Sequence, residues 1–404
     1  MSYTADLHLH SRYAYATSKN ITLERLGAWA RVKGIDLLSS ADFTHPVWRR
    51  ELEGKLVPVS PGLYRFGGVS FVLGTEVSCV YKQGGRSRRV HMLLFAPGFA
   101  TVDRLRAAFS DAGAKLESDG RPTLRMSARD LTALALDIDP QCMVIPAHVW
   151  TPWFGLFGSK SGFDHLEECF LDMAPQIHAI ETGLSSDPAM NWNIQGLGDR
   201  SIVSFSDAHS APKLGRELTV FDGDLGYGEL ADALRHRRVA YSVEFYPEEG
   251  KYHHSGHRKC GVSHSPEDTA RIGQRCPVCN RPLTLGVLHR ISGLSDGEES
   301  SHRDAGGFVQ NQEGFPPFIR LVPLIEVIAE TMGLGTASKL IEREYSRIIG
   351  ELESELNVLA WAGEADLVTV AGETLARNIL KARVGEVMVE PGYDGLYGKV
   401  SVGG

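Results

Sequence analysis

The sequence predicts an α/β protein with mainly parallel strands, followed by a small metal-binding module and a mainly helical C-terminal part. In residues 1–247, short runs of Val, Ile, Leu and Phe end in a polar residue and alternate with longer amphipathic stretches. Residues 248–304 are rich in His and Cys, and residues 305–404 alternate apolar and charged residues at helical period. A chain of 404 residues has the length for two or three domains of this kind.

Seven apolar runs predict the strands of the first region. They lie at 3–9, 35–41, 69–77, 90–95, 143–149, 179–182 and 202–205. Four stretches between or after them have helical spacing, at 23–32, 102–112, 128–136 and 228–237. Strands alternating with helices predict parallel strands joined by crossover helices.

The last part of the chain predicts helices at 319–332, 337–356 and 372–383. Before them, the Gly-, Ser- and Glu-rich stretch 292–314 predicts a flexible or partly ordered connector. The expected division is therefore 1–247, 248–304 and 305–404.

The composition is that of an ordinary soluble globular protein, with 43% hydrophobic and 23% charged residues. The net charge of −8 gives no support to a nucleic-acid partner and does not exclude one. No apolar run approaches the roughly 18 residues of a membrane span, and the N-terminus lacks the pattern of a secretory signal. We expect a cytoplasmic protein without a membrane partner.

Metal-ligating residue types recur at or near the ends of six of the seven predicted strands. Because side chains alternate along a strand, His8 and His10 point the same way. A single member such as His91 is more often a hydrogen-bonded core histidine, but the recurrence in successive βα units predicts one metal centre. The full set is His8, His10, Asp42, His45, Glu76, His91, His148, Asp207 and His209.

These residues, in this order, resemble the polymerase and histidinol phosphatase (PHP) family of metal-dependent phosphoesterases. The resemblance covers roughly residues 1–247 and implies a distorted (β/α)7 barrel with two or three divalent metals (Zn, Mn or Mg). Two metals a few ångströms apart activate a water and neutralise the transition state of phosphodiester hydrolysis.

The resemblance also implies how the ligands divide among the metals. His8, His10, Glu76 and Asp207 would hold the first, and Glu76 would bridge to a second held by His91 and His148. His209, with a residue of the second motif, would hold the third.

The sequence departs from the family pattern at two places. The positions after the H-x-H motif lack a good ligand, and the usual adjacent Asp-His of the second motif is replaced by Asp42 and His45, which two residues separate. Which of these two ligates stays open, as does the presence of the third metal. Arg216, shortly after the last ligand, either contacts a phosphate or forms a surface salt bridge.

A second cluster of ligands predicts a structural zinc site. His257 and Cys260 form one chelating turn, and Cys276 and Cys279 form another, with fifteen residues between Cys260 and Cys276. The fourth ligand is open at this stage because His253, His254, His264 and His289 are also near. Free thiols are the alternative.

The whole series of motifs resembles the endonuclease Q family over nearly the full length. The series is ADLHLHSRYA, ADFTHPVW, AHVWTPWFG, GKYHHSGHRKCG, CPVCNRPLTLGVLHR and PGYDGLYGKV. That resemblance implies an endonuclease that cuts DNA 5′ of deaminated bases (uracil, hypoxanthine, xanthine) or abasic sites, leaving 3′-hydroxyl and 5′-phosphate ends. It implies Asp207 and Glu76 as catalytic residues, DNA with such lesions as the partner, and further replication or repair proteins as partners.

Five aromatic residues are candidates for contact with DNA: Trp150, Trp153, Phe154, Tyr393 and Tyr397. An enzyme that selects a damaged base extrudes it from the stack and reads it in a pocket with aromatic walls. For Trp150, Trp153 and Phe154, packing of the zinc or helical part onto the first region is an equal alternative.

Two other functions compete with the endonuclease hypothesis. One is a phosphatase or phosphodiesterase acting on a small phosphate ester, with the zinc module as a lid. The other is a non-catalytic DNA-damage binding protein, against which the intact ligand set argues.

Overall fold

The computed structural model describes residues 1–297 and 301–402. Residues 1–247 form a mixed α/β region that begins with a strand followed by a helix. The Thr22 side chain caps this helix by accepting the Arg25 N–H. Its strands and helices are β1 (Ser2–Asp6), α1 (Leu23–Lys33), β2 (Leu37–Ser39), α2 (Pro46–Lys55), β3 (Val57–Ser60), β4 (Leu63–Phe66), β5 (Val69–Gln83), β6 (Arg86–Ala96), α3 (Phe99–Asp111), β7 (Thr123–Leu124), α4 (Ala128–Ile138), β8 (Met143–Pro146), α5 (Leu166–Phe170), β9 (Ala179–Glu181), α6 (Ala189–Trp192), β10 (Ser201–Val203), β11 (Leu218–Asp222), α7 (Tyr227–Arg235) and β12 (Val239–Glu244).

The central sheet mixes parallel and antiparallel pairs. Strand β2 pairs in parallel with β1 and β5, whereas β6 pairs antiparallel with both β5 and β8. Strands β9 and β10 pair in parallel with each other, and within the described residues no ladder joins them to the central sheet. All seven predicted strands are present and the α/β class is confirmed, but the expectation of parallel pairing is wrong around β6.

The antiparallel pairing of β5 with β6 has a local cause. The two strands are joined by Gly84 and Gly85, with φ of +58° and +75°. Two successive residues at positive φ form the tight turn that matches strand twist in a hairpin. The chain therefore turns back at once, where a crossover helix was expected.

Strands β11 and β12 were absent from the predicted set. β11 lies antiparallel between β1 and β12, with Tyr3 opposite Phe221. Both strands are short apolar runs that periodicity alone leaves ambiguous.

The remainder of the chain adds a small module and a C-terminal group of helices. Its elements are β13 (Ser255–His257), β14 (Val262–His264), α8 (Pro266–Ile272), α9 (Val287–Leu294), β15 (Ser301–Arg303), β16 (Val309–Asn311), β17 (Phe318–Arg320), α10 (Leu324–Met332), α11 (Lys339–Leu352), α12 (Glu364–Ala371), α13 (Glu373–Arg383), β18 (Met388–Glu390) and β19 (Lys399–Ser401).

The expected connector at 292–314 contains the antiparallel pair β15 and β16, and its residues 298–300 lie outside the described residues. One sequence expectation for this part needs correction. The helix expected at 319–332 begins only at Leu324, because Pro323 precedes it and residues Phe318–Arg320 pair in parallel with β12. The division at 247 and 304 stays a prediction.

A single apolar cluster connects the first region with the C-terminal helices. It includes Leu26 and Phe71 from the first region and Ile328 and Ile379 from the last. In the described part of the chain, no helix is both long enough and apolar enough to cross a membrane.

Candidate metal centre

Seven of the nine predicted ligands converge in residues 1–247. They form three overlapping groups in which the ligand atoms lie within 4.8 Å of one another: His8, His10 and Glu76; Glu76, His91 and His148; and His10, Asp207 and His209. We call these seven residues the donor cluster. Glu76 and His10 are each shared by two groups.

The segments after β1 and β10 bring three of these side chains together. Leu9 forms a parallel bridge with Ala208, and the His10 N–H donates to the Ala208 carbonyl at 3.0 Å. His8 and His10 therefore lie beside Asp207. Their Nε2 atoms are 3.5 Å and 3.2 Å from Asp207 Oδ1.

Glu76 lies between two groups because it projects from the middle of the long strand β5. Its Oε1 is 2.7 Å from His91 Nδ1 on the paired strand β6 and 3.1 Å from His148 Nε2 after β8. Its Oε2 is 3.3 Å from His10 Nε2 and 3.6 Å from His8 Nε2. One carboxylate thus faces both sets of histidines.

The backbone at this centre adopts positive φ angles, which residues other than glycine rarely have. His148 and Asp207 have φ of +30° and +44°. Gly183 (φ +60°) approaches His148 so closely that a Cβ there would lie 2.3 Å from the His148 Cβ. Such strain persists only where surrounding structure holds it, and it clusters at functional sites.

Burial and the neighbouring charges strongly shift the pKa values of the side chains in the donor cluster. Burial opposes ionisation of Glu76, but His91, Arg121 and His8 hold its pKa well below the usual range. Burial lowers the pKa of His8, yet Glu181, Asp207 and Glu76 outweigh it and raise that pKa well above its ordinary value. Burial lowers the pKa of His91 to about 4. Interacting sites of this kind are typical of functional centres.

The unpartnered atoms of the cluster fit a metal ion. The Nε2 atoms of His8 and His10 and the Oδ1 atom of Asp207 are buried without a hydrogen-bond partner in the described structure. Buried polar atoms normally have partners. Around a tetrahedral ion with bonds of about 2.1 Å, neighbouring ligand atoms lie about 3.4 Å apart. The measured separations of 3.2 Å to 3.6 Å match that spacing.

Asp42 and His45 lie outside the three groups, so their expected role as ligands stays a prediction. Asp42 is fully buried and accepts the Ser11 N–H at 2.6 Å, and its Oδ1 is 3.2 Å from His10 Nδ1. It therefore orients His10. The His45 ring stacks on Tyr13, with centroids 4.2 Å apart. The third group uses His10 and Asp207 in place of a second-motif residue.

Glu181 is a buried residue of the centre that the sequence expectations missed. Its carboxylate oxygens lie 2.8 Å and 3.0 Å from His8 Nδ1, and one of them accepts the His148 N–H at 2.7 Å. It ends strand β9, so the rule that found the other strand-end residues could have found it. Arg121 was missed as well, because it lies in a loop without a motif.

Arg216 contacts the backbone beside the donor cluster. Its Nε donates to the Ser206 carbonyl at 2.8 Å and its Nη2 to the Asp207 carbonyl at 3.2 Å. These bonds hold the segment that carries Asp207. Neither of the two expected roles, phosphate contact or surface salt bridge, accounts for them.

The second predicted ligand set also converges. The donor atoms of His257, Cys260, Cys276 and Cys279 all lie within 4.8 Å of one another. Burial raises the pKa of the Cys276 thiol, but the N–H groups of Cys279 and Val278 outweigh it and lower the pKa to about 7. A thiol that ionises readily suits a zinc ligand.

The five aromatic candidates separate by exposure. Trp150 is 1% exposed and donates to Asn191 Oδ1 at 2.8 Å, so it packs in the core, and its contact with DNA stays a prediction. Phe154 lies 4.3 Å from the His91 ring. Trp153 and Tyr397 are 42% and 73% exposed. Tyr393 packs against Gly256 of the small module.

The fold and the donor cluster together define a metal-dependent hydrolase. Two solved structures are similar over nearly the whole chain. The lesion-specific endonuclease PfuEndoQ from Pyrococcus furiosus is 30% identical with a TM-score of 0.87, covering 99% of this chain and 95% of that chain. Endonuclease Q in complex with a 27-mer duplex substrate with an abasic lesion at the active site is 30% identical with a TM-score of 0.86, covering 100% and 97%.

At this identity over nearly the full length of both chains, the chain belongs to the endonuclease Q family. Residues 323–386 also match the MJ0043 C-terminal domain family.

Two relatives known from sequence extend the comparison. The protein YqxK of Bacillus subtilis is 29% identical over 414 residues, covering 98% of each chain. The protein MJ0043 of Methanocaldococcus jannaschii is 30% identical over 260 residues, which are 62% of this chain and 31% of the relative. The chain thus matches less than a third of that relative's length.

Proposed function

We propose that the protein is a DNA repair endonuclease that hydrolyses the phosphodiester 5′ to a deaminated base (uracil, hypoxanthine or xanthine) or an abasic site, leaving 3′-hydroxyl and 5′-phosphate ends. The observation that carries this proposal is the full-length similarity to endonuclease Q bound to an abasic duplex, at a TM-score of 0.86. The converging donor cluster is what such a hydrolase needs.

The donor cluster would hold two or three divalent cations, of Zn, Mn or Mg. Histidine nitrogens together with carboxylates favour Zn or Mn over Mg, which prefers oxygen ligands. When bound, these ions would activate a water and neutralise charge on the phosphodiester during hydrolysis.

The protein's own residues would fix the ligands before substrate arrives. Glu181 and Asp42 hold the Nδ1 sides of His8 and His10, which leaves both Nε2 atoms facing the centre. Thr151 Oγ1 lies 3.0 Å from His148 Nδ1 and does the same for that ring. Such partners set the orientation and basicity of metal-binding histidines.

Contact with the lesion is proposed for the exposed aromatic residues. Trp153 follows the His148 segment and packs edge-on against Tyr252 at 5.4 Å. Tyr397 lies under the Lys251 ammonium, 4.4 Å from its ring centroid. An exposed ring beside a cation suits stacking on a base next to a phosphate. The single zinc held by His257, Cys260, Cys276 and Cys279 would stabilise the module that carries Tyr252 and Lys251.

The test is incubation with duplex oligonucleotides bearing one uracil, hypoxanthine, xanthine or abasic site, and an undamaged control, with Mg²⁺ or Mn²⁺. We expect one nick 5′ of a lesion and none in the undamaged duplex. No nick at any lesion, together with hydrolysis of a small phosphate ester, would establish the phosphatase alternative. Lesion binding without a nick would indicate a non-catalytic binding protein.

Asp207→Asn tests the centre directly. The Asp207 carboxylate lies beside both His8 and His10. Its loss should reduce cleavage by at least about 1,000-fold, because the hydrolytic step depends on the metals. Binding to the lesion duplex should stay within about threefold of the parent, because binding to DNA largely does not depend on the metals. Single-turnover cleavage and fluorescence anisotropy measure the two effects. Asp222→Asn, at an exposed position of β11, is the matched control. Retained cleavage in Asp207→Asn would remove Asp207 from the site.

A further inference from the structure

Arg121 places a positive charge at the edge of the donor cluster. Its Nη1 lies 3.0 Å from Glu76 Oε2, the oxygen that faces His8 and His10. The arginine side chain is 22% exposed, whereas the Glu76 side chain is fully buried. The guanidinium therefore reaches from solvent to the carboxylate shared by two of the ligand groups.

Hydrogen bonds join the loop that contains Arg121 to the chain segments around the donor cluster. The Gly120 N–H donates to the Tyr13 carbonyl at 3.1 Å, Thr44 Oγ1 donates to the Gly120 carbonyl at 3.0 Å, and the Ser78 N–H donates to the Pro122 carbonyl at 3.0 Å. A Cβ at Gly120 would lie 2.4 Å from Asp42 Oδ2, so the loop approaches the centre as closely as glycine allows.

The donors of Arg121 are only partly used. In the described structure its side chain donates to Glu76 through Nη1, and no acceptor is found for Nε or Nη2. Those two groups are not among the completely buried unpartnered atoms, so each keeps some accessible surface. A guanidinium offers five N–H donors in a fork that fits the oxygens of a phosphate.

We propose that Arg121 is a further catalytic residue, which contacts a non-bridging oxygen of the scissile phosphodiester through Nη2 and Nε while Nη1 stays on Glu76. This inference rests on the proposed endonuclease function. The contact places fixed positive charge where negative charge develops during hydrolysis, without a proton transfer to or from the arginine. The alternative is that Arg121 only holds Glu76 in position for metal binding.

Two readouts separate these roles in Arg121→Gln and Arg121→Lys. Mn²⁺ binding to the full chain, measured by calorimetry, should stay within about threefold of the parent, because the metal ligands are unchanged. Single-turnover cleavage of an abasic duplex at saturating Mn²⁺ should fall by about 100-fold in Arg121→Gln. Arg121→Lys, which keeps the charge and loses the fork, should recover part of that loss.

Arg129→Gln is the matched control. Its side chain is 32% exposed and pairs with Asp172 at 2.6 Å, and in the described structure it contacts neither the donor cluster nor the Arg121 loop. Both readouts should equal those of the parent.

A third measurement tests the phosphate contact of Arg121 without DNA cleavage. Inorganic phosphate should bind the Mn²⁺-loaded parent and bind Arg121→Gln at least about tenfold more weakly. If the parent cuts no lesion duplex but this difference holds, the proposed function fails and the phosphate contact stands. Equal phosphate binding by parent and variant, no phosphate binding by the parent, or cleavage restored to Arg121→Gln by excess Mn²⁺ would overturn the inference.

Discussion

At the scale of single residues, the buried carboxylate of Glu181 is the clearest addition to the predicted site. It holds His8 through Nδ1 and fixes the backbone of His148, so one side chain orients ligands of two groups. A carboxylate placed in this way raises the basicity of the histidine ligand and pre-organises the site.

Glu181→Gln should therefore weaken metal binding while the fold is kept. The amide oxygen can still accept one N–H, but the negative charge that supports His8 is lost, and Mn²⁺ affinity should fall about 10- to 100-fold. Calorimetric titration of the metal-free protein measures this change. The exposed Glu229→Gln is the control. Unchanged affinity in Glu181→Gln would show that the carboxylate is only structural.

Seven of the nine expected ligands lie in the donor cluster: five of them follow strands β1, β8 and β10, whereas Glu76 and His91 lie within β5 and β6. The role of the other two, Asp42 and His45, as ligands stays a prediction. Asp42 also follows a strand, yet its two carboxylate oxygens bond to the Ser11 N–H and to His10 Nδ1. No pattern in the sequence distinguishes a carboxylate that binds a metal from one that orients a ligand. Glu181 obeys the same rule as the ligands and was overlooked.

At the scale of elements, strands β11 and β12 bring two buried carboxylates together. Leu218 pairs with Val243, which places Glu217 and Glu244 side by side at the strand ends. Burial raises the pKa of Glu244 to about 8, although hydrogen bonds from Ser204 and Ser242 oppose the shift. Burial and the neighbouring Glu244 raise the pKa of Glu217 well above its ordinary value.

The raised pKa of Glu244 predicts a loss of stability with rising pH. The folded state keeps the proton up to about pH 8, whereas the unfolded chain loses it near 4.5. Its contribution is complete below pH 4.5 and falls between pH 4.5 and 8, by up to about 1.4 kcal/mol per pH unit. Urea unfolding at pH 5, 6.5 and 8 should show a smaller decline in Glu244→Gln than in the parent. Parallel declines would contradict the assignment.

In the small module, all four predicted ligands lie together. The hairpin of β13 and β14 carries His257 beside Cys260, and the turn at Cys276 and Cys279 completes the set. Spacing alone suffices here because each chelating pair is local, and the fold needs only to join two turns.

Cys276→Ser should remove one zinc per chain and loosen this module alone. Cys276 is buried and apolar contacts with Val262 and Leu283 are few, so metal binding supplies much of the stability of the module. Elemental analysis and limited proteolysis measure the loss of zinc and the exposure of residues 248–297. Cys142→Ser, at a buried thiol outside every ligand group, should keep the zinc. A full zinc content in Cys276→Ser would exclude it as a ligand.

At the scale of the whole molecule, the first and the last predicted parts share an apolar cluster and a sheet. β17 lies in the C-terminal part yet pairs with β12, and Ile328 and Ile379 pack in the same cluster as Leu26. The sequence predicted α10, α11 and α13 because their periodicity is local, and it did not predict α12. Their docking could not be predicted, because it depends on contacts between residues as far apart in sequence as Lys33 and Glu355, which 322 positions separate.

A buried ion pair joins these distant parts. Lys33, at the end of α1, pairs with Glu355, and both side chains are less than a tenth exposed. Glu355 also accepts the Tyr345 hydroxyl at 2.5 Å and the Leu324 N–H at 3.0 Å. The carboxylate is therefore satisfied by α1, α10 and α11 at once.

Lys33→Met should destabilise the protein by about 3–5 kcal/mol, because it leaves the Glu355 charge buried without its cation. Adding Glu355→Gln removes that charge and should restore much of the loss, since a neutral amide keeps the bonds to Tyr345 and Leu324. Urea unfolding followed by circular dichroism and tryptophan fluorescence measures both variants. The shared core also predicts that the two signals change together in the parent. Separate transitions, or a Lys33→Met protein as stable as the parent, would show that the C-terminal helices fold independently of the first region.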